Sequence, residues 1–321
     1  MSRAASSLDS DAVLARLRLR DLALLLAIDE HRSITAAARH LGYTQPAASR
    51  TLGDVEQLLH VHLFERDRAK GMSPTPAGAL VLARARALIA DCRALTEELD
   101  AYRRGTGGHL RLGIIPFVSA ALVEPLIAGL TGDALRMSVT ISEGPTTTLL
   151  EALQQQRLDA VIGRCSTAPL PAGIEQETLI RQDACLLAHP SNALVRSART
   201  RLADLQGHRW LLPPVGTPTR TAVNAVFAKA KLAAPVATVE AYSTRVIHLT
   251  LRADARMLSI VPSDTGHDIQ RLGGVKRLPF PVPLQMPAVG LISATRHRET
   301  PVVRNLRGTL RELLRRRREA A

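Results

Sequence analysis

The run Ser33-Ile-Thr-Ala-Ala-Ala-Arg-His-Leu-Gly-Tyr-Thr-Gln-Pro-Ala-Ala-Ser-Arg-Thr-Leu-Gly-Asp-Val-Glu56 decides the fold of the N-terminal third. Ser33 suits the N-cap of a short helix ending at Leu41, and Gly42 suits the left-handed position beyond its end. Thr44 caps a second helix, and Pro46 falls in its first turn, where a missing N–H costs little. Two short helices joined by so tight a turn make a helix-turn-helix. Ala48, Leu52, Val55 and Leu59 recur at helical spacing and define a buried stripe. Pro46, Ser49, Arg50 and Gly53 lie on the opposite face, with Gln45 at its leading end. Arginine pairs with guanine O6/N7 and glutamine with adenine N6/N7, so this face suits base edges in a major groove. A small helical bundle with a solvated polar face has the same spacing.

Leu63-Phe-Glu-Arg-Asp-Arg-Ala-Lys-Gly-Met-Ser-Pro-Thr-Pro-Ala-Gly78 follows. Arg66, Arg68 and Lys70 cluster in a turn-rich stretch, as in a wing lying along phosphates. A basic loop paired with Glu65 and Asp67 is the alternative. Thr75 caps the next helix, whose N-terminus favours phosphate. Over that helix Val81, Ala85, Leu88, Cys92, Leu95, Leu99 and Tyr102 recur at 4-3 spacing, the seam of a helix that pairs with another. Cys92 lies in the seam, so packing is its expected role. Residues 17–76 read as a winged helix-turn-helix domain and 77–104 as a dimerisation helix. The Ser- and Ala-rich stretch Met1–Asp11 reads as frayed.

Gly105-Thr-Gly-Gly108 is a hinge, and beyond it the pattern changes. Leu110–Ile115, Met137–Ser142, Leu158–Ile162, Ala184–Ala188, Trp210–Leu212, Ala237–Glu240 and Leu258–Val261 are short apolar strands alternating with helical segments. That rhythm predicts an α/β body with a mostly parallel sheet over 108–321.

Thr44-Gln-Pro-Ala47, Leu63-Phe-Glu-Arg66 and Thr75-Pro-Ala-Gly78, with Glu143-Gly-Pro-Thr146, Leu158-Asp-Ala-Val-Ile-Gly163 and His189-Pro190, resemble the LysR-type transcriptional regulators. Asp29–Ser33 and Gly71–Pro76 look closest to the subgroup around the galactose-binding-protein regulator. The resemblance implies DNA contacts from Thr44, Gln45, Pro46, Ser49, Arg50, Arg66, Arg68, Lys70 and Thr75. It implies a periplasmic-binding-protein-like sensor of two subdomains, 108–180 with 287–321 and 181–286, and crossings near Glu177–Asp183 and Leu278–Pro287. It also implies a homotetramer of paired dimers that acts on promoter DNA and affects RNA polymerase access. His60 stands where the family usually has a helix-ending glycine, and Gly53 weakens the recognition helix.

In such a cleft, ligands sit at strand C-termini and helix N-termini. Ser119 and Thr146 are placed to offer hydroxyls and helix amides to one small molecule; plain N-capping is the alternative. Phe117 makes the first loop apolar. Thr217, Thr219, Ser243 and Ser263 are further candidates, and Arg220 can pair with an anionic group or stand as a surface charge. The effector expected is a small anionic or polar organic metabolite, and no cofactor or metal is expected.

The chain has 321 residues, with 42 Lys+Arg against 29 Asp+Glu, a net charge of +13, and 46% apolar residues. That apolar content excludes a disordered chain. Residues 1–105 carry only +2 of the excess and 296–321 carry +6, ending in Arg315–Arg318. Net charge is therefore a poor locator of the DNA site. The tail reads as a solvated helix end or an auxiliary phosphate contact. No apolar run is long enough to span a bilayer and no signal-peptide core is present, so a cytoplasmic protein is expected. No GxSxG, HExxH, P-loop or GxGxxG occurs, and His60 and His62 lack completing ligands. An enzyme is not expected. A solute-binding protein or an enzyme on the same α/β fold is the alternative to a regulator.

Overall fold

The computed structural model describes residues 10–67, 71–165, 170–197, 199–298 and 300–319. The chain divides into two compact units, Met1–Leu99 and Asp100–Ala321. Of the stretch expected to fray, residues 1–9 lie outside the described residues, whereas Ser10 and Asp11 open a helix, α1 (Ser10–Arg16).

In the first unit α2 (Leu19–His31) packs on α3 (Ile34–His40), and α3 packs on α4 (Gln45–Leu59). Ser33 Oγ accepts from Ala36 N at 3.3 Å and Thr44 Oγ1 from Ala47 N at 3.4 Å, so both caps operate. Between these helices Gly42 takes φ +72°. Ala48, Leu52 and Val55 are buried against Leu24, Leu25, Ile28 and Leu82. Full burial of each Leu or Val stabilises by roughly 1.5–3 kcal/mol. The helix pair therefore rests on its own hydrophobic core.

A hairpin of β1 (Phe64–Asp67) and β2 (Gly71–Pro74) follows, with Arg66 opposite Met72. Thr75 N donates to Leu63 O at 3.0 Å, which brings the start of α5 (Pro76–Arg104) against β1. A Cβ on Gly78 would lie 1.9 Å from Leu63 O, so only glycine permits this approach. Leu82 and Ala85 belong to the unit's core, while Leu88, Leu95 and Leu99 of the heptad seam are about half exposed.

The second unit holds two five-stranded sheets. The first uses β3 (His109–Ile114), β4 (Ser138–Glu143), β5 (Ala160–Arg164), β6 (Ile174–Ile180) and β12 (Val289–Ala294), in the order β4-β3-β5-β12-β6. It is flanked by α6 (Ala120–Thr131), α7 (Thr146–Gln154) and α11 (Pro301–Glu319). The second uses β7 (Ala184–Ala188), β8 (Arg209–Leu212), β9 (Ala237–Glu240), β10 (Met257–Pro262) and β11 (Lys276–Arg277), in the order β11-β7-β10-β8-β9. Its helices are α8 (Pro218–Lys229), α9 (Thr244–Ala253) and α10 (Ser263–Arg271).

The sheets are mostly parallel in strand direction, as expected, with one opposed strand in each. β12 runs antiparallel to both β5 and β6, and β7 antiparallel to β10 and β11. Each antiparallel set arises where the chain crosses between sheets and re-enters from the opposite side. The two crossings run side by side, bridged at Asp183 and Gln285, with Met286 N donating to Gln182 O at 3.2 Å.

Candidate functional site

On the first unit Thr44, Gln45, Pro46 and Arg50 are exposed along the leading face of α4, and Ser49 is half-buried. Gln45 Nε2 donates to Ser49 Oγ at 2.8 Å, which holds the amide along the helix face. Among the described residues no carboxylate pairs with Arg50 or Arg66. Gln45 and Arg66 line a concavity of about 310 Å³ together with Arg32, Ser33 and Thr35. The start of α4, the start of α3 and the hairpin thus converge on one polar hollow. Arg68 and Lys70 lie outside the described residues. Thr75 caps α5 as its position predicts, and it also reaches the hairpin. Its hydroxyl donates to His62 O at 2.7 Å and accepts from Gly78 N at 2.9 Å, so it ties the hairpin to α5.

His60 supplies the end of α4 by taking the left-handed conformation itself, φ +53°. An L-residue bears about 1–2 kcal/mol of steric cost there.

On the second unit Ser119 and Thr146 fall beside different cavities. Thr146 lines a cavity of about 480 Å³ formed with Leu150 of α7, Arg164 and Cys165 at the end of β5, and Pro218 and Ala222 of α8. Ala120, beside Ser119, lines a separate cavity of about 450 Å³ with Glu143, Thr244, Thr265 and Asp268. Each spans the two subdomains.

Four of the sequence candidates have hydrogen-bond partners within the protein. Thr146 Oγ1 accepts from Arg164 N at 3.0 Å. Thr217 caps α8, accepting from Arg220 N at 3.3 Å and donating to Pro214 O at 2.8 Å. Arg220 donates from Nη1 to Pro213 O at 3.0 Å and to Glu240 at 3.1 Å, a tie between α8 and the neighbouring strands, and it lines neither cavity. Ser243 caps α9 at 3.4 Å from Val246 N. Thr219 is fully buried, and its hydroxyl, like that of Ser119, has no partner among the described residues. Phe117 is fully buried, stacks on Tyr242 with ring centres 5.2 Å apart, and packs with Cys185, Leu187 and Leu211 of the other subdomain.

The residue that sequence reading passed over is Arg164. It is 1% exposed and stands at the point where the subdomains meet. Its Nη1 donates to Gln182 Oε1 at 2.6 Å and to Pro287 O at 2.7 Å, one partner on each crossing. Gln182 Nε2 in turn donates to both oxygens of Asp264 at 2.8 Å. Burial pulls the Arg164 guanidinium down to about 10, against an upward pull from Tyr242, Asp264 and Cys165. The signal available was a lone arginine closing an apolar strand, directly after the Leu158–Gly163 motif.

A winged helix-turn-helix unit joined in one chain to a two-subdomain body with cavities between the subdomains defines a ligand-responsive DNA-binding regulator. Its family follows from comparison with known proteins. Residues 19–79 match the bacterial regulatory helix-turn-helix protein, lysR family, and residues 103–315 match the LysR substrate binding domain. The chain belongs to the LysR family of transcriptional regulators. It is 33% identical over 260 residues to the HTH-type transcriptional regulator GbpR of Azospirillum brasilense, covering 78% of this chain and 75% of that one. It is 26% identical over 295 residues to the regulator GalR of Pseudomonas putida, covering 92% and 74%. The fold matches the crystal structure of CbnR, a LysR family transcriptional regulator, with TM-score 0.64 at 22% identity, over 93% of this chain and 99% of that one. The complex of full-length CbnR with its target DNA matches with the same TM-score, over 92% and 100%. No helix among the described residues is long and apolar enough to cross a membrane.

Proposed function

We propose that the chain binds promoter DNA in the cytoplasm as a homotetramer of paired dimers and alters polymerase access to a metabolic operon when a small polar or anionic effector enters the second unit. The observation that supports the DNA reading most is the exposed face of Thr44, Gln45, Pro46 and Arg50, with Arg50 free of any carboxylate among the described residues. Gln45 and Arg50 carry the donors and acceptors that read base edges, and Arg66 lies beside a hollow suited to a phosphate. The half-exposed Leu88, Leu95 and Leu99 on α5 supply the apolar strip of a helix-paired dimer. Two such domains read a two-fold symmetric site. The effector acts by binding open and closed arrangements of the second unit with different affinity.

A gel-shift titration on the intergenic DNA beside the chain's own gene tests this. A specific complex that weakens steeply with salt supports the reading. No complex on that DNA, at any protein concentration, overturns it. Light scattering of the purified chain checks the tetramer, and a monomer overturns that element.

A further inference from the structure

Arg164 is buried at the end of β5, yet its Nε and Nη2 have no partner. Only Nη1 is satisfied. The two unpartnered nitrogens share one edge of the planar guanidinium, and two parallel N–H bonds from that edge reach both oxygens of a single carboxylate. This chain uses the same edge elsewhere. Arg111 grips Asp159 with Nε at 3.3 Å and Nη2 at 2.7 Å. Arg315 grips Glu312 with Nε at 3.0 Å and Nη2 at 2.8 Å. Among the described residues no carboxylate stands against this fork of Arg164, because the nearby Asp264 is held by Gln182.

A buried cation with most of its donors idle is costly to the fold, and a neutral residue would fill the place without that cost. The adjoining 480 Å³ cavity supplies a reason for the charge. Among the described residues Arg164 is its one charged lining residue, and Leu150, Leu170, Ala222, Ala225 and Ile292 make its wall mainly apolar. Among the described residues a second anionic group would find no second cation there, and an ammonium group no carboxylate.

We propose that Arg164 anchors a monocarboxylate with a compact apolar body, held by Nε and Nη2 in the cavity between α7 and α8. The inference rests on the reading of the second unit as an effector sensor. The fork is dry in this conformation, so the ligand enters as the subdomains part at the crossings that Nη1 holds. The pairing it brings is one that the ligand-free chain lacks, and that difference is what moves a conformational equilibrium.

The test uses the full chain with butyrate, isovalerate and benzoate, each beside its primary amide, read by thermal shift and calorimetry. At least one acid raises the unfolding midpoint and its amide does not. Arg164→Gln abolishes the shift. Arg164→Lys keeps the charge but loses the fork, and binds the same acid about tenfold or more weakly. The inference is overturned by three results: no acid acts, amide and acid act alike, or Arg164→Gln binds as the wild type does. If Arg164→Gln does not fold, Arg164→Lys decides, and undiminished affinity in it overturns the inference. DNA binding by the wild-type chain is measured in parallel. A chain that binds DNA but ignores every acid loses this inference alone. A chain that takes an acid but no DNA loses the regulator reading alone.

Discussion

Ala120 N donates to Asp268 Oδ2 at 2.9 Å. Ala120 is the first residue of α6 in one subdomain, and Asp268 sits on α10 in the other. Ser119 occupies the N-cap position of α6 but its hydroxyl makes no cap bond. A carboxylate from across the cleft thus satisfies the helix end and meets its positive pole. The contact lasts only while the two subdomains are together, so it acts as a latch.

Asp268→Ala should therefore lower the unfolding free energy of the second unit by about 0.5–2 kcal/mol in urea titrations, the usual worth of a helix cap. Asp268→Asn keeps an acceptor without the charge and should lose less. An unchanged midpoint in Asp268→Ala would mean that the latch contributes nothing.

On DNA, Arg50→Ala should cost about 1–3 kcal/mol on the specific site and relax preference at one base pair. Arg66→Ala should weaken all sequences alike and reduce the salt slope by about 1. Anisotropy titrations at several salt concentrations, on specific and scrambled duplexes, separate the two. Exchanged outcomes would exchange the assigned roles.

His60 holds a left-handed conformation that glycine adopts without strain. His60→Gly should stabilise the first unit by about 1 kcal/mol, net of glycine's extra chain entropy in the unfolded state. A thermal melt reads the difference, and a lower midpoint would show that the imidazole contributes more than the strain removes.

Two glycines should respond in opposite ways. Gly78→Ala forces a Cβ onto Leu63 O and should destabilise by at least about 1–3 kcal/mol. Gly53→Ala meets nothing within 4 Å and should stabilise α4 by up to about 1 kcal/mol. If Gly53→Ala then weakens DNA binding while raising stability, the glycine is kept for close approach to the duplex.

The basic tail was read as a solvated helix end or a phosphate contact. In α11, Arg315 and Arg316 pair with Glu312, and Arg315 also with Glu319 at 2.7 Å. Glu312 and Glu319 thus meet the charge of Arg315 and Arg316 within the helix. Removing residues 315–321 should leave the salt slope of DNA binding unchanged, and a shallower slope would assign the tail to phosphate.

Much of this was legible in the chain because it is local. Ser33 and Thr44 cap the helices that their spacing predicts, and Ala48, Leu52 and Val55 face the core. The wing strands were not read as strands, since Phe64–Asp67 alternates too briefly and with too much charge. β6 was missed because Ile174-Glu-Gln-Glu-Thr178 is a polar edge, and its direction depends on β12, over a hundred residues later. Arg220 and Arg164 show the same limit at the site. Arg220 heads a helix and looked suited to an anion, but Glu240 meets it from the next strand. Arg164 matters only through Gln182, Asp264 and Pro287, and no window of sequence holds all of these.

Phe117 has a consequence for how the sensor can be taken apart or recombined. A loop of one half completes the hydrophobic interior of the other, where Cys185, Leu187 and Leu211 close around the ring. The halves are thus not interchangeable modules. A graft of the second half alone from a relative would have to bring its own match for this ring, and a fragment spanning residues 181–286 would be left with a hole the size of a phenyl group at its centre.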